Sequence, residues 1–335
     1  MATDAASSFT PTPSLAQANL TIATATSVPR ATTAVGLLAG TSGSVPPQIG
    51  LARRRLTAMG FDGEIGQTLA VPAAEGPVLV AVGIGSPTAV DAAALRRAGA
   101  AFARAAGAHR QLAIVLDGAE GVEVDAAAQA VVEGVVLARY RYDPLRNEPQ
   151  GKTLLRLTVV SADRAAATSG RQRGRAFAGA TQLARDLANT PHSHLNASRL
   201  GDVAVELGRE RGLSVEVFDK EALVELGCGG LLGVNQGSAE PPRMIKLTYR
   251  PPGDPSGRLA LVGKGIMYDS GGIALKPGDE VHAQMKNDMS GAAAVLASMS
   301  ALAQLRCQSQ VTGYLMCTDN MPSGTALALG DVITM

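Results

Sequence analysis

The sequence predicts an α/β protein of two domains, and three observations carry that reading. Apolar runs alternate with Ala-rich amphipathic stretches from about Ala34 onward, the order expected when strands and helices build a mostly parallel sheet. The chain, 335 residues, is long enough for two substantial cores. Its composition, 46% hydrophobic and 18% charged, is that of an Ala-, Gly- and Val-rich globular protein rather than a disordered one.

In chain order, residues 1–30 are rich in Ala, Ser, Thr and Pro and lack the basic start and compact apolar segment of a secretory signal. Arg30 is the first basic residue, which argues against a transit peptide, so a disordered tail is expected here. Residues 31–168 form the expected N-terminal α/β domain. VLVAVGIG (78–85) reads as a strand, 89–107 as an Ala-rich helix with Arg96, Arg97 and Arg104 on its polar side, and QLAIVLD (111–117) as a second strand. Asp125 to Arg139 follows as a helix and LLRLTVVSA (154–162) as a third strand. The Gly83-Ile84-Gly85 turn lacks the further glycine of a dinucleotide fingerprint, with Pro87 interrupting, so a tight strand-to-helix turn is the expectation. Residues 169–190 read as a connecting helix whose Arg171, Arg173, Arg175 and Arg185 form either a solvated face or an interdomain contact.

Residues 191–335 then alternate again. A helix capped at Asn196 or Ser198 runs to Arg211, LSVEVFD (213–219) is a strand, and a short helix ends near Gly227. CGGLLGVNQGS (228–238) is Gly-rich without the Lys-Ser or Lys-Thr of a Walker loop, and suits close backbone packing. RMIKLTYR (243–250) is a strand, Leu259–Val262 a buried strand, 290–305 a small-residue helix and QVTGYLMC (310–317) a strand. His192 and His194 lie two apart without a carboxylate or cysteine cluster in sequence, so neither is expected to ligate a metal. Cys228, Cys307 and Cys317 show no paired spacing and are expected as free thiols in a reducing, cytoplasmic setting. No run approaches the ~20 apolar residues of a membrane span. A net charge of +1 makes neither nucleic acid nor an anionic membrane an expected partner.

The chemistry concentrates between Leu259 and Ala294. Lys264, Asp269, Lys276, Lys286 and Asp288 stand there among glycines 263, 265, 271, 272 and 278. Charged groups placed between a buried strand and a buried helix are costly unless paired, which points to a site. On spacing alone, ordinary ion pairing of the lysines with Asp269 and Asp288 is the favoured reading. Asp279, Glu280 and Lys286 read as a solvated loop, and Met285 as core or pocket.

The motifs VGKGIMYDSGG (262–272), LKPG (275–278), MKNDMSGAAAV (285–295) and DNMPSG (319–324), with ARDLANTP (184–191), resemble the leucyl (cytosol) aminopeptidases, the M17 two-metal exopeptidases. The resemblance implies an N-terminal regulatory or assembly domain and a C-terminal α/β metallopeptidase domain, incomplete here. It implies that Lys264, Asp269 and Asp288 are metal ligands, that Lys276 is an electrophile near the scissile carbonyl, and that Met285 lines the pocket for the first side chain of a peptide substrate. The implied cofactors are two divalent ions, Mn²⁺ first, with Zn²⁺ or Mg²⁺ accommodated by an oxygen-rich set. Lys264 must shed its proton to coordinate, since an ammonium has no lone pair, whereas Lys276 keeps its own to donate to an oxyanion. A homo-hexamer is implied as well. The family's next signature, Asn-Thr-Asp-Ala-Glu-Gly-Arg, supplies two further ligands and an arginine. This chain ends at Met335, before that segment. Two expectations follow: a metal-dependent aminopeptidase preferring leucine-like N-terminal residues, or a non-catalytic fragment or subunit.

Overall fold

The computed structural model describes residues 9–16, 20–71, 75–119, 121–149, 151–329 and 331–334. In chain order the elements are α1 (Pro13–Ala16), β1 (Thr21–Ala25), β2 (Ala34–Ala39), α2 (Arg53–Ala58), β3 (Thr68–Val71), β4 (Val78–Gly83), α3 (Ala92–Ala105), β5 (Gln111–Val115), α4 (Val124–Ala138), β6 (Arg156–Val160) and α5 (Arg164–Asn189). They continue as α6 (Ala197–Arg211), β7 (Ser214–Phe218), α7 (Lys220–Glu225), α8 (Gly229–Asn235), β8 (Arg243–Tyr249), β9 (Arg258–Asp269), α9 (Glu280–Ala283), α10 (Ser290–Ala301) and β10 (Gln310–Asn320). The chain divides into two compact units, Gln17–Gly179 and the rest.

The N-terminal unit is built on a six-stranded sheet in the order β1-β6-β5-β2-β4-β3. Every neighbour pair is parallel except β3 with β4, so the mostly parallel α/β sheet expected from the alternating pattern is present. Strands covered on both faces read as continuous apolar runs: all six residues of β2, AVGLLA, are buried. α3 starts where the Asp91 side chain accepts a hydrogen bond from Ala94 N at 2.7 Å, the capping geometry that short acidic side chains favour. β1 replaces the disordered tail expected over residues 20–30: its short TIATA run pairs with β6. Residues 1–8 and 17–19 of that tail lie outside the described residues. The polar composition hid a strand whose Ile22 is the one residue buried in it. Two of the α5 arginines act within this unit: Arg173 pairs with Asp125 at 2.7 Å and Arg171 donates to Ile22 O at 2.8 Å.

In the C-terminal unit a four-stranded sheet runs β7-β8-β10-β9. β7, β8 and β10 are antiparallel neighbours, and only β10 with β9 is parallel. Its core joins Leu183 and Leu187 of α5, Leu200 and Leu207 of α6, Ile245, Leu247 and Leu315 of the sheet, and Leu296 of α10. α6 opens at Asn196, whose side chain accepts from Arg199 N. α10 lies close against β9 because both carry small residues there: a Cβ at Gly263 would sit 2.6 Å from Ala292 Cα. Within the Gly-rich stretch, residues 229–235 form a helix, α8. The expectation of a buried strand at Leu259–Val262 is corrected in part. The strand exists and is longer, but Leu259 and Val262 are 53% and 68% exposed, because β9 is an edge strand of the described sheet. Among the described residues the three cysteines are free, and Cys317 is buried, with desolvation pushing its thiol up to about 12. No helix among the described residues is long and apolar enough to cross a membrane.

Candidate metal centre

The site sits at the carboxyl ends of β9 and β10, the only parallel pair in the sheet and the place where open α/β sheets hold their ligands. In an unbroken strand Lys264 and Asp269, five residues apart, would face opposite sides. The register shifts near the end of the pair: Ile266 stands opposite Thr318 and Asp269 opposite Asn320, three steps on β9 against two on β10. One extra residue in β9 resets the alternation and re-aims Asp269, the usual consequence of a bulge.

Asp269 is held by three donors. Asn320 Nδ2 donates to its Oδ1 at 2.8 Å, Gly271 N donates to the same oxygen at 2.9 Å, and Lys276 Nζ donates to Oδ2 at 2.5 Å. The loop reaches that geometry because Gly271 and Gly272 adopt φ of 91° and 66°, the left-handed region that glycine enters without strain. A Cβ at Gly272 would stand 2.6 Å from Asn320 Oδ1, so a side chain there would push the carboxamide off Asp269. The loop closes through Lys276 N to Ser270 O and Ser270 Oγ to Asn320 O. Burial pushes the Asp269 carboxyl up, but the Lys276 ammonium, the Gly271 amide and the Asn320 carboxamide outweigh it, and the group titrates below the ordinary carboxylate range.

Lys276 Nζ also reaches Met285 Sδ at 2.9 Å. Met285 lies in a 3-10 turn, Gln284–Asn287, that leads into Asp288 and α10. Asp288 in turn stands 2.9 Å from Lys264 Nζ. Lys264, Asp269, Lys276 and Asp288 therefore form two lysine–aspartate pairs, linked by β9 on one side and by the turn at Met285 on the other. Lys264, with its side chain 62% exposed, also borders a pocket of about 420 Å³ formed with Leu231, Val234, Ile266 and Met316.

The donor set suits a divalent ion on one structural ground. Asp288 Oδ2 is buried and accepts no hydrogen bond, although Lys264 Nζ is near: the approach is close enough for ion pairing and off the line that hydrogen bonding needs. A buried carboxylate oxygen with unused lone pairs is a place where a cation is favoured, and Lys264 would join it only as the neutral amine. Among the described residues no three His, Cys, Asp or Glu side chains converge.

Three further residues escaped the sequence reading. Asn320 orients Asp269; it stands in the DNMPSG motif, where a carboxamide directly after a long strand was the available signal. His192 does bind, but to a buried carboxylate: its Nε2 is 3.0 Å from both oxygens of Asp319, and Ser238 Oγ donates to the same group. The Asp319 hydrogen bond holds the His192 imidazole above its usual range against the opposing effect of burial. Lys286, expected in a solvated loop, donates to Asn189 O at 2.6 Å and Ala188 O at 3.3 Å, and burial lowers its ammonium from the ordinary lysine value. Asp279 caps α9 through His282 N. No local sequence pattern pairs His192 with Asp319 or Lys286 with Asn189, because each pair is separated by more than ninety residues.

A mixed sheet bearing a glycine-rich loop and paired lysines and aspartates at the ends of its parallel strands defines an α/β domain of the peptidase class that the motifs resemble. The chain belongs to the cytosol aminopeptidase family: residues 182–335 match the family's catalytic domain and residues 50–149 its N-terminal domain. A Streptomyces avermitilis protein named "Probable cytosol aminopeptidase" is 41% identical over 305 residues, covering 84% of this chain and 57% of its own length. A Chlorobaculum tepidum protein of the same name is 43% identical over 218 residues, 62% of this chain and 43% of its own. Among solved structures, the bottromycin maturation enzyme BotP in complex with Mn superposes with a TM-score of 0.79 at 41% identity, over 91% of this chain and 63% of that one. A tomato leucine aminopeptidase mutant superposes with a TM-score of 0.82 at 25% identity, over 94% and 66%. The chain thus spans about 57% of the Streptomyces relative's length.

Proposed function

We propose that this chain carries part of the active site of a metal-dependent aminopeptidase that releases N-terminal residues, leucine-like ones preferred, from peptides in the cytoplasm. The observation behind the proposal is the pairing of Lys276 with Asp269 and of Lys264 with Asp288 at the carboxyl ends of β9 and β10. Asp269, Asp288 and Lys264 would hold the divalent cation, with Mn²⁺ favoured by the oxygen ligands and Zn²⁺ or Mg²⁺ as substitutes. A pair of such ions held there would supply Lewis acidity toward a carbonyl and an activated water. The chain's own residues do the rest. Lys276 turns from Asp269 toward the carbonyl to be cut and donates to the oxygen that gains charge. Met285, in contact with Lys276, presents an apolar surface to the first side chain. Asn320 and Gly271 keep Asp269 ionised and aimed. A homo-hexamer is part of the same reading.

The test is hydrolysis of leucine amide by the chain with added Mn²⁺, alongside Asp269→Asn. Metal-dependent release that the substitution abolishes supports the reading; release that ignores both contradicts it. A second reading, a non-catalytic subunit, draws on a specific observation: two carboxylates and one lysine are too few donors for two ions. It predicts binding of a single Mn²⁺ with no turnover.

A further inference from the structure

We infer that Lys286 is a positioning residue for the site, an inference that rests on the cation reading above. Its side chain leaves the 3-10 turn Gln284–Asn287 and ends on the backbone carbonyls of Ala188 and Asn189, the last turn of α5. The carbonyls of a helix's last turn point beyond its C-terminus, and a cation there meets acceptors and the negative end of the helix dipole. The anchor is firm, since Asp186 and Leu187 in the same turn are fully buried. A second pin holds the other end of the segment: Tyr268, adjacent to Asp269, donates its hydroxyl to His282 O at 3.1 Å.

The pins flank Met285, and Asp288 follows just beyond Lys286. Met285, on one side of Lys286, touches Lys276, and Asp288, two residues on, faces Lys264. Lys286 touches none of the reacting groups. Its effect is to set how far the turn, and with it Asp288, stands from β9. The loop character read from the sequence is thereby replaced by a strut between α5 and the site.

Lys286→Met and Lys286→Arg in the 335-residue chain test this, with Mn²⁺ affinity read by electron paramagnetic resonance and amide exchange read over residues 280–289. Loss of an outer support typically weakens metal binding about 10- to 100-fold, and that is the expectation for Lys286→Met. Lys286→Arg, which keeps the donors and the charge, restores binding to within about threefold of the parent. Exchange over 280–289 speeds up in Lys286→Met and stays slow in Lys286→Arg, while the strands of the N-terminal unit are unaffected. A lysine acting only through its charge would give the opposite metal result, tighter binding once the positive charge is gone, and that result overturns the inference. Asp288→Asn separates the two claims. If it abolishes Mn²⁺ binding while Lys286→Met leaves binding intact, the strut is wrong and the cation reading stands. If Asp288→Asn changes nothing, the cation reading fails and the exchange over 280–289 alone decides whether Lys286 holds the turn.

Discussion

Two apolar runs of similar appearance end up in opposite settings. AVGLLA in β2 is buried at all six positions, between parallel neighbours β4 and β5. LALV at 259–262 opens β9, and there Leu259 and Val262 are largely exposed on the outer strand of the second sheet. The difference teaches that an apolar run reports a strand, while burial depends on what flanks it in the sheet. It also separates two ways of holding structure. Apolar volume organises the N-terminal unit, and hydrogen bonds with charge pairs organise the end of β9.

Substitutions can sharpen that contrast. Ile114→Ala, at a fully buried position of β5, should cost about 2–5 kcal/mol, whereas Val262→Ala should stay within about 0.5 kcal/mol, both read by denaturant unfolding. Similar costs at the two positions would break the comparison. Asn320→Ala removes a donor from a carboxylate, worth about 1.5–3 kcal/mol, and should destabilise the C-terminal unit and weaken Mn²⁺ binding together. Lys276→Met removes the ammonium that competes with a cation for Asp269 Oδ2. Mn²⁺ affinity should rise by on the order of tenfold, while any peptide hydrolysis falls.

The smallest effect is a pH dependence. His192 has a raised folded-state value, so its pairing with Asp319 stabilises the protein fully below the ordinary histidine value of 6.5 and loses that contribution as pH rises through the raised one. His192→Gln should therefore lower the thermal midpoint at pH 5.5 and leave it unchanged at alkaline pH. Asp269 runs the other way: its lowered value gives stability that is present above the ordinary carboxylate value and lost as pH falls through the folded one.

Much of this was legible in the sequence, for physical reasons. Strands β4, β5, β6, β8 and β10 and helices α3, α4 and α6 follow from apolar runs, periodicity and a cap at Asn196, which are local signals. Lys264, Asp269, Lys276 and Asp288 were visible as charge beside glycine, Met285 and the site roles came from the motif resemblance, and the structure pairs Lys264 with Asp288 and Lys276 with Asp269 and Met285. β1 was missed because TIATA has one buried side chain, and its stability comes from pairing with β6, more than a hundred residues away. The exposure of Val262 was missed because pattern does not reveal a sheet's edge. Lys286 was read as a solvated-loop residue and the partner of His192 went unread, because Asn189 and Asp319 are joined to them only by the fold.

The central claim is that Asp269, Asp288 and Lys264 share a divalent cation. Crystals of the chain grown with Mn²⁺ and measured at the manganese absorption edge test it most directly. The account predicts an anomalous peak in contact with both carboxylates and the Lys264 nitrogen, absent in Asp288→Asn. A peak elsewhere, or none beside Asp269 and Asp288 at saturating Mn²⁺, would contradict it.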